Sequence, residues 1–332
     1  MKSQSVLGYL IVLSMSIASI FGCTKRKDTA QPPTESDSPA PQTANKNIEE
    51  GANAVQHIET AADFNHVLAA WDAGNKEDAT KRFVQIDWTK PALFANVPSL
   101  DISEQDLMTS SQDQQMQIIK KLNEFTTKLR ELGLHILSVG DASLASGDKQ
   151  ASQTHYEALL KCAKSLASKD CLGSIRIEAK GFIKAVEDRL SALESGQDYQ
   201  KQVQKQADEV RTTFMVLQQV CKANDVDRYL YFWDDETKKA IDGRDLDIDQ
   251  RRQRRRQSLT RRPQTLQEIA DAKIESITVD YWEPEKIEAV HGVEIKGTMM
   301  LVRTTGLHFR FDLQFHQTPN GWKLWNMMWY GQ

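Results

Sequence analysis

The chain has 332 residues, of which 40% are hydrophobic and 27% are charged, and its formal net charge is −4. This composition excludes a polytopic membrane protein, a collagen-like chain and a wholly disordered one. The length corresponds to about two domains, each large enough to bury a core. Four cysteines are too few for a disulfide framework, and no His or Cys cluster has the spacing of metal ligands.

The N-terminus has the pattern of a sorting signal. Lys2 precedes an uncharged apolar run over residues 6–22, and Cys23 follows directly. A run of this length fits the core of a signal peptide and is at the lower limit for spanning a bilayer. The alternative is therefore an uncleaved transmembrane anchor. Both interpretations place most of the protein outside the cytoplasm.

Ile20-Phe21-Gly22-Cys23 resembles the lipobox of bacterial lipoproteins. The resemblance implies a signal peptide over residues 1–22 and a palmitate-type lipid on Cys23. It also implies export to the cell envelope and anchoring to the cell membrane or the outer membrane. We expect residues 23–47 to form an extended, disordered tether, because they are polar and rich in proline.

Residues 48–204 are predicted to form an all-α domain. Apolar residues recur every three or four positions in two stretches, which indicates amphipathic helices with one buried face. The first stripe consists of Ile118, Leu122, Phe125, Leu129, Leu132, Ile136 and Val139, and the second of Ile175, Ala179, Phe182, Val186 and Leu193.

Two stretches of this domain share a turn pattern. Leu68-Ala69-Ala70-Trp71-Asp72-Ala73-Gly74 is followed by Ala79 and Phe83, and Leu144-Ala145-Ser146-Gly147 by Ser152 and Tyr156. The pattern resembles the centre of a tetratricopeptide helix pair, in which glycine permits the turn and the aromatic fills the groove. The resemblance implies a scaffold or a peptide-binding surface. The alternative is a non-repetitive helical bundle that supports the second domain.

The three cysteines after Cys23 have different predicted roles. Cys162 and Cys171 flank a predicted turn, and an exported protein meets an oxidising compartment, so a disulfide between them is one interpretation. The alternative is two buried thiols. Cys221 lies on an apolar helical stripe and is predicted to be a core residue.

Residues 205–332 are predicted to form an α+β domain. A helix precedes segments with alternating apolar residues, of which residues 307–315 are the clearest, and Thr318-Pro319-Asn320-Gly321 predicts a hairpin turn before a last strand. This order, with the closing Gly321-Trp322-Lys323-Leu324, resembles the nuclear transport factor 2-like (cystatin-like) superfamily. The resemblance implies a cone-shaped domain in which a curved antiparallel sheet surrounds an apolar cavity.

Members of that superfamily include isomerases, dehydratases and non-catalytic binding modules. If the cavity is open here, its wall candidates are Tyr229, Trp233, Phe309 and Phe311. The alternation predicts that the ionisable residues lie on the outer face of the sheet, where they are solvated, form a dimer contact or pack on a neighbouring domain; they are His308, Arg310, Asp312 and His316. The three acids at positions 234–236 are expected at a solvated helix end, and no His–Asp pair is assigned to the interior.

The arginine run has seven arginines in twelve residues: Arg251, Arg252, Arg254, Arg255, Arg256, Arg261 and Arg262. Because several aspartates precede it, we expect its field to be offset locally and the run to be a charged helix or loop between the helices and the sheet. The functional alternative is binding to anionic lipid headgroups. The signal peptide argues against nucleic acid as a partner.

These patterns favour a non-catalytic envelope lipoprotein that acts as a binding or assembly module at the membrane surface. The expected partners are the membrane, through the lipid, a protein or peptide, through the helical domain, and a second copy, through the C-terminal sheet. The alternative is a small-ligand carrier or an isomerase-like or dehydratase-like enzyme that uses the C-terminal cavity. No catalytic signature or cofactor motif occurs in the sequence.

Overall fold

The computed structural model describes residues 63–88, 90, 94, 97–242 and 247–330. The predicted signal peptide, Cys23 and the tether lie outside the described residues. The chain is mostly helical and ends in a four-stranded antiparallel sheet, so a helical region precedes an α+β region as predicted. Within the described ranges, no helix is long and apolar enough to cross a membrane.

The helical region consists of two helical hairpins and a further long helix. Its elements are α1 (Phe64–Asp72), α2 (Lys76–Gln85), a 3-10 turn (Pro98–Leu100), α3 (Glu104–Thr109), α4 (Gln112–Ala145), α5 (Lys149–Ser168) and α6 (Gly173–Glu194). Gly74 and Gly147 form the predicted turns after α1 and α4, each with positive φ, which glycine adopts without steric cost. In each hairpin, the second helix begins after a polar N-cap residue, which is Asn75 for α2 and Asp148 for α5.

The stripe on α4 packs as the periodicity predicts, but two glycines in it have a role that the stripe does not show. A Cβ on Gly140 would lie 2.5 Å from the ring of Tyr156 on α5, and a Cβ on Gly133 would overlap the ring of Phe182 on α6. Each glycine therefore accommodates an aromatic ring of a neighbouring helix. This is why α5 and α6 approach α4 closely.

The α+β region begins with a long helix whose first residues still contact the helical region. Its elements are α7 (Tyr199–Lys222), α8 (Val226–Tyr231), α9 (Asp235–Asp242), α10 (Ile248–Arg261), α11 (Thr265–Asp271), β1 (Lys273–Val279), α12 (Trp282–His291), β2 (Met299–Thr305), β3 (Arg310–Thr318) and β4 (Gly321–Tyr330). The strands follow the order β1-β2-β3-β4, and each pairs antiparallel with the next.

One face of the sheet packs on α7, α8 and α11. Phe311, Leu313 and Phe315 of β3 alternate onto this face, as the sequence pattern predicts, and are fully buried with Phe214 of α7. The hydrophobic cluster of the helical region extends over residues 64–186 and adds Tyr281, whereas that of the sheet region extends over residues 207–324. The predicted boundary between residues 204 and 205 falls inside α7.

The two regions meet through α12, which is inserted between β1 and β2. Trp282 fits against Gly181 of α6, where a Cβ would lie 2.5 Å from its indole nitrogen, and the guanidinium of Arg130 stacks 4.7 Å from its ring. Beside it, the hydroxyl groups of Tyr199 and Tyr281 share a hydrogen bond of 2.5 Å. Helix α12 of the sheet region thus packs Trp282 into the space left by Gly181 of the helical region.

Candidate functional site

A groove lies between the two hairpins of the helical region and has a volume of about 720 Å³. It is lined by Lys76, Glu77, Thr80, Lys81, Val84 and Gln85 of α2, His135 and Val139 of α4, and His155 of α5. Because α2 packs on α5, the two hairpins lie side by side. The groove runs between α2 of the first hairpin and α4 and α5 of the second. Most of its lining surface is apolar, so the groove suits a chain with apolar side chains.

The charges at the groove are mainly positive. Lys76 and Lys81 contribute ammonium groups, and Glu77 contributes a carboxylate. Burial and the nearby Lys76 lower the pKa of His135, so its imidazole is neutral at neutral pH. The Nδ1–H of His155 donates to the carbonyl of Ala151 over 2.6 Å. A ligand with carboxylates near its apolar side chains would match this field.

The groove joins residues that the sequence does not group. Val139 ends the predicted stripe of α4, whereas Lys81 and Val84 lie just beside Phe83 of the first turn pattern. Phe83 and Tyr156, the aromatics of the two patterns, are buried and do not line the groove. Only the side-by-side packing of the hairpins turns these separate positions into one surface.

A second cluster lies on the opposite face of the sheet from the apolar core. His316 of β3 and Asp234, just before α9, are both buried, and the imidazole Nδ1–H donates to the Asp234 carboxylate over 2.6 Å. The prediction that residues 234–236 form a solvated helix end is wrong for Asp234 and Asp235, which are buried. The prediction that no His–Asp pair lies in the interior is wrong as well. The sequence gives no signal for it, because the partners are 82 residues apart.

The His316 imidazole has no nitrogen left for proton transfer to a substrate. Its other nitrogen, Nε2, donates to the carbonyl of Lys296 over 2.7 Å. Burial alone would lower the pKa of His316, but the bonds to Asp234 and Lys296 outweigh it and the pKa is raised. Both ring nitrogens therefore face protein acceptors, which favours the protonated form of the imidazole.

Asp234 is also fixed by the start of α9. Burial opposes ionisation of its carboxyl group, but hydrogen bonds from His316 and Thr237 outweigh burial, and the pKa of Asp234 is lowered. Its Oδ1 accepts the backbone N–H of Thr237, and its own backbone N–H donates to Leu324. The pair therefore attaches the N-terminus of α9 to the outer face of the sheet.

Gln314, two residues before His316, anchors a second helix in the same way. Its side-chain amide donates to Asp280 over 2.8 Å, and the other oxygen of Asp280 accepts the first backbone N–H groups of α12. In the predicted polar stripe, Asp312 and His316 are thus buried within the chain rather than solvated, while His308 and Arg310 are exposed. His316 is buried because a helix packs on this face, whereas Asp312 lies beside Arg303 of the neighbouring strand.

The four predicted cavity-wall residues lie in or beside the core. Tyr229 and Phe311 are buried in it, and Trp233 packs edge-on against Tyr229. Phe309 is half-buried and contacts Trp329 edge-on. The four side chains contribute to packing in this structure.

The three cysteines that the structure describes are all buried. Cys162 and Cys171 are free and buried, so the disulfide considered between them is absent from this structure, and Cys221 is buried as well. Burial raises the pKa of the Cys221 thiol to about 12, which keeps it protonated. In the part of the chain that the structure describes, no cluster of His, Cys, Asp and Glu is arranged to hold a metal ion.

Comparison of the chain with protein-family models, with curated proteins and with solved structures found no match.

Proposed function

We propose that this chain is a non-catalytic binding module of the bacterial envelope, and that the groove between α2, α4 and α5 binds a peptide segment of a partner protein. The groove itself carries the proposal, because it joins a mostly apolar surface to two lysines. Apolar side chains of the peptide would occupy the surface near Val84 and Val139. Carboxylates of the peptide would lie near Lys76 and Lys81.

The lipid on Cys23 and export to the envelope belong to the same proposal and are supported by the lipobox pattern. The cone shape of residues 205–332 also belongs to this proposal. It is supported by the order of helices followed by an antiparallel sheet. The homodimer through the sheet stays a prediction; the exposed members of the stripe, His308 and Arg310, are the residues that it would use.

The buried pair of His316 and Asp234 favours a binding role over an enzyme that would use this pair. A general acid or base needs a proton site that faces the substrate. Both nitrogens of His316 donate to protein acceptors, and Asp234 accepts bonds from His316 and Thr237. These groups stabilise the fold.

Selection from a library of random peptides tests the proposal. Peptides of roughly 12 residues are displayed on phage, selected on the purified protein, and synthesised for titration. We expect enrichment of sequences with two or more large apolar residues flanked by Asp or Glu. The dissociation constant should rise at least about tenfold in Lys81→Glu, because one favourable charge becomes unfavourable.

Lys161→Glu is the matched control, since Lys161 is exposed on α5 outside the groove lining and the charge change is the same. It should leave the affinity unchanged within about twofold. Failure to enrich any peptide, or equal loss in Lys81→Glu and Lys161→Glu, would contradict the proposal.

A further inference from the structure

The arginine run forms the helix α10, and its two faces differ. Positions 248, 251, 252, 255 and 259 are the buried or half-buried ones, with the spacing of one helical face. On this inner side, Arg252 and Arg255 form ion pairs with the buried Asp235, and their guanidinium groups stack on Tyr231 and Trp233, each at 4.3 Å. These arginines attach α10 to the α+β region.

The outer side holds arginines that packing does not explain. Arg254, Arg261 and Arg262 are exposed, and none of the three forms an ion pair with another residue in the described part of the chain. Arg254 and Arg261 are seven residues apart, so they share one face of the helix. Between positions 250 and 260, the other exposed residues of that face are glutamines, a serine and a threonine.

The acids at the start of α10 do not offset the charges at its C-terminal end. Residues 250–264 contain no Asp or Glu. Asp247 caps the first turn of α10 and Asp249 lies within it, whereas Arg261 is the last residue of the helix. A helix of 14 residues is about 21 Å long, which exceeds the screening length of about 8 Å at physiological salt. The expectation of a locally offset field thus agrees with the ion pairs of Arg252, Arg255 and Arg256 and does not extend to the C-terminal end.

We propose that the outer face of α10 and the residue that follows its last turn, together defined by Arg254, Arg261 and Arg262, bind the anionic headgroups of a membrane. The chain is acidic overall, with a net charge of −4, so only a partner that touches this one face is attracted. A flat membrane meets that condition.

Vesicle sedimentation tests the proposal with the chain from residue 24 to 332, which lacks the lipid and retains every residue of the hydrophobic clusters. The vesicles contain either phosphatidylcholine alone or phosphatidylcholine with about 30% phosphatidylserine. An arginine at such a surface contributes roughly 1 kcal/mol, or about fivefold in partitioning. We expect the triple variant Arg254→Gln, Arg261→Gln, Arg262→Gln to bind phosphatidylserine vesicles at least about tenfold more weakly.

The matched control changes three exposed lysines of the helical region, Lys120, Lys121 and Lys161, to Gln. It has the same net charge as the arginine variant and should keep at least about half of the vesicle binding. Equal loss in both variants would overturn the proposal, as would vesicle binding that the arginine variant retains. It would also be overturned if the wild-type chain bound a short DNA duplex through these arginines but bound neither kind of vesicle. Circular dichroism of the three proteins checks that the fold is unchanged.

Discussion

The helical region and the sheet region bury their elements by different means. In the helical region, glycines on one helix accommodate aromatic rings of the next, as Gly133 does for Phe182. In the sheet region, polar side chains of β3 bind carboxylates at the starts of helices, as His316 does for Asp234. The contact of Gly133 with Phe182 depends on shape and that of His316 with Asp234 on paired polar groups, so the two contacts should respond differently to substitution and to pH.

The largest expected effect is the loss of a buried partner in the sheet region. His316→Ala leaves the Asp234 carboxylate buried without its cation, and breaking such a pair costs about 3–5 kcal/mol. Urea unfolding measures the change. His291→Ala, at an exposed position on α12, is the control and should cost less than about 0.5 kcal/mol. A cost below about 1 kcal/mol for His316→Ala would show that the pair does not anchor α9.

A smaller effect is expected from a single methyl group in the helical region. Gly133→Ala places a Cβ inside the ring of Phe182, and overpacking of this kind costs about 1–3 kcal/mol. The double variant Gly133→Ala, Phe182→Leu separates shape from helix propensity. If the contact is the cause, the cost of Gly133→Ala should fall in the Phe182→Leu background by at least about 0.5 kcal/mol. Equal costs in both backgrounds would contradict the close fit of the ring against Gly133.

The two contacts should also differ in their dependence on pH. The pKa of His316 is raised in the folded state, so its contribution is complete below the unfolded value of about 6.5 and is lost as pH rises through the folded value. The pKa of Asp234 is lowered, so its contribution is present above about 3.9 and is lost as pH falls through the folded value. The pair is therefore strongest between about pH 4 and pH 6.5.

Denaturant midpoints measured across that range check the pH dependence. The difference in unfolding free energy between wild type and His316→Gln should be largest between about pH 4 and 6.5 and should shrink on both sides. A difference that is constant with pH would mean that the interaction of His316 with Asp234 is not ionic. Gly133→Ala, which changes only shape, should show no such profile.

The smallest expected effect concerns the thiols of the helical region. Because Cys162 and Cys171 are free, a reducing agent should leave the melting temperature of the purified protein unchanged within about 1 °C. A bridge would instead add about 2–3 kcal/mol, and its reduction would lower the melting temperature by several degrees. Such a fall would restore the disulfide that the sequence suggested.

The sequence predicts the repeating parts of this structure better than its single contacts. The stripe from Leu122 to Ile136 and the alternation of Phe311 with Phe315 predict α4 and β3, because periodicity depends only on neighbours along the chain. The bond between His316 and Asp234 and the position of Gly133 depend on tertiary packing. A residue 82 positions away has no local pattern that could reveal it.

The candidate site shows the same limit. The turns at Gly74 and Gly147 follow from the sequence, and so does the suggestion of a peptide-binding surface. The lining of the groove requires that α2 packs beside α5, which brings Lys81 of one hairpin near Val139 of the other. The sequence gives the hairpins separately, 73 residues apart, and does not state that they are neighbours.

A charge-swap titration tests the central claim, that the groove binds an acidic and apolar peptide, most directly. The best acidic peptide from the selection and its counterpart with Lys in place of Asp and Glu are titrated against wild type and Lys81→Glu by calorimetry. We predict that wild type prefers the acidic peptide by at least about tenfold and that Lys81→Glu shifts this ratio toward the basic peptide by at least about tenfold. A ratio that is the same for both proteins would place the binding elsewhere and contradict the account.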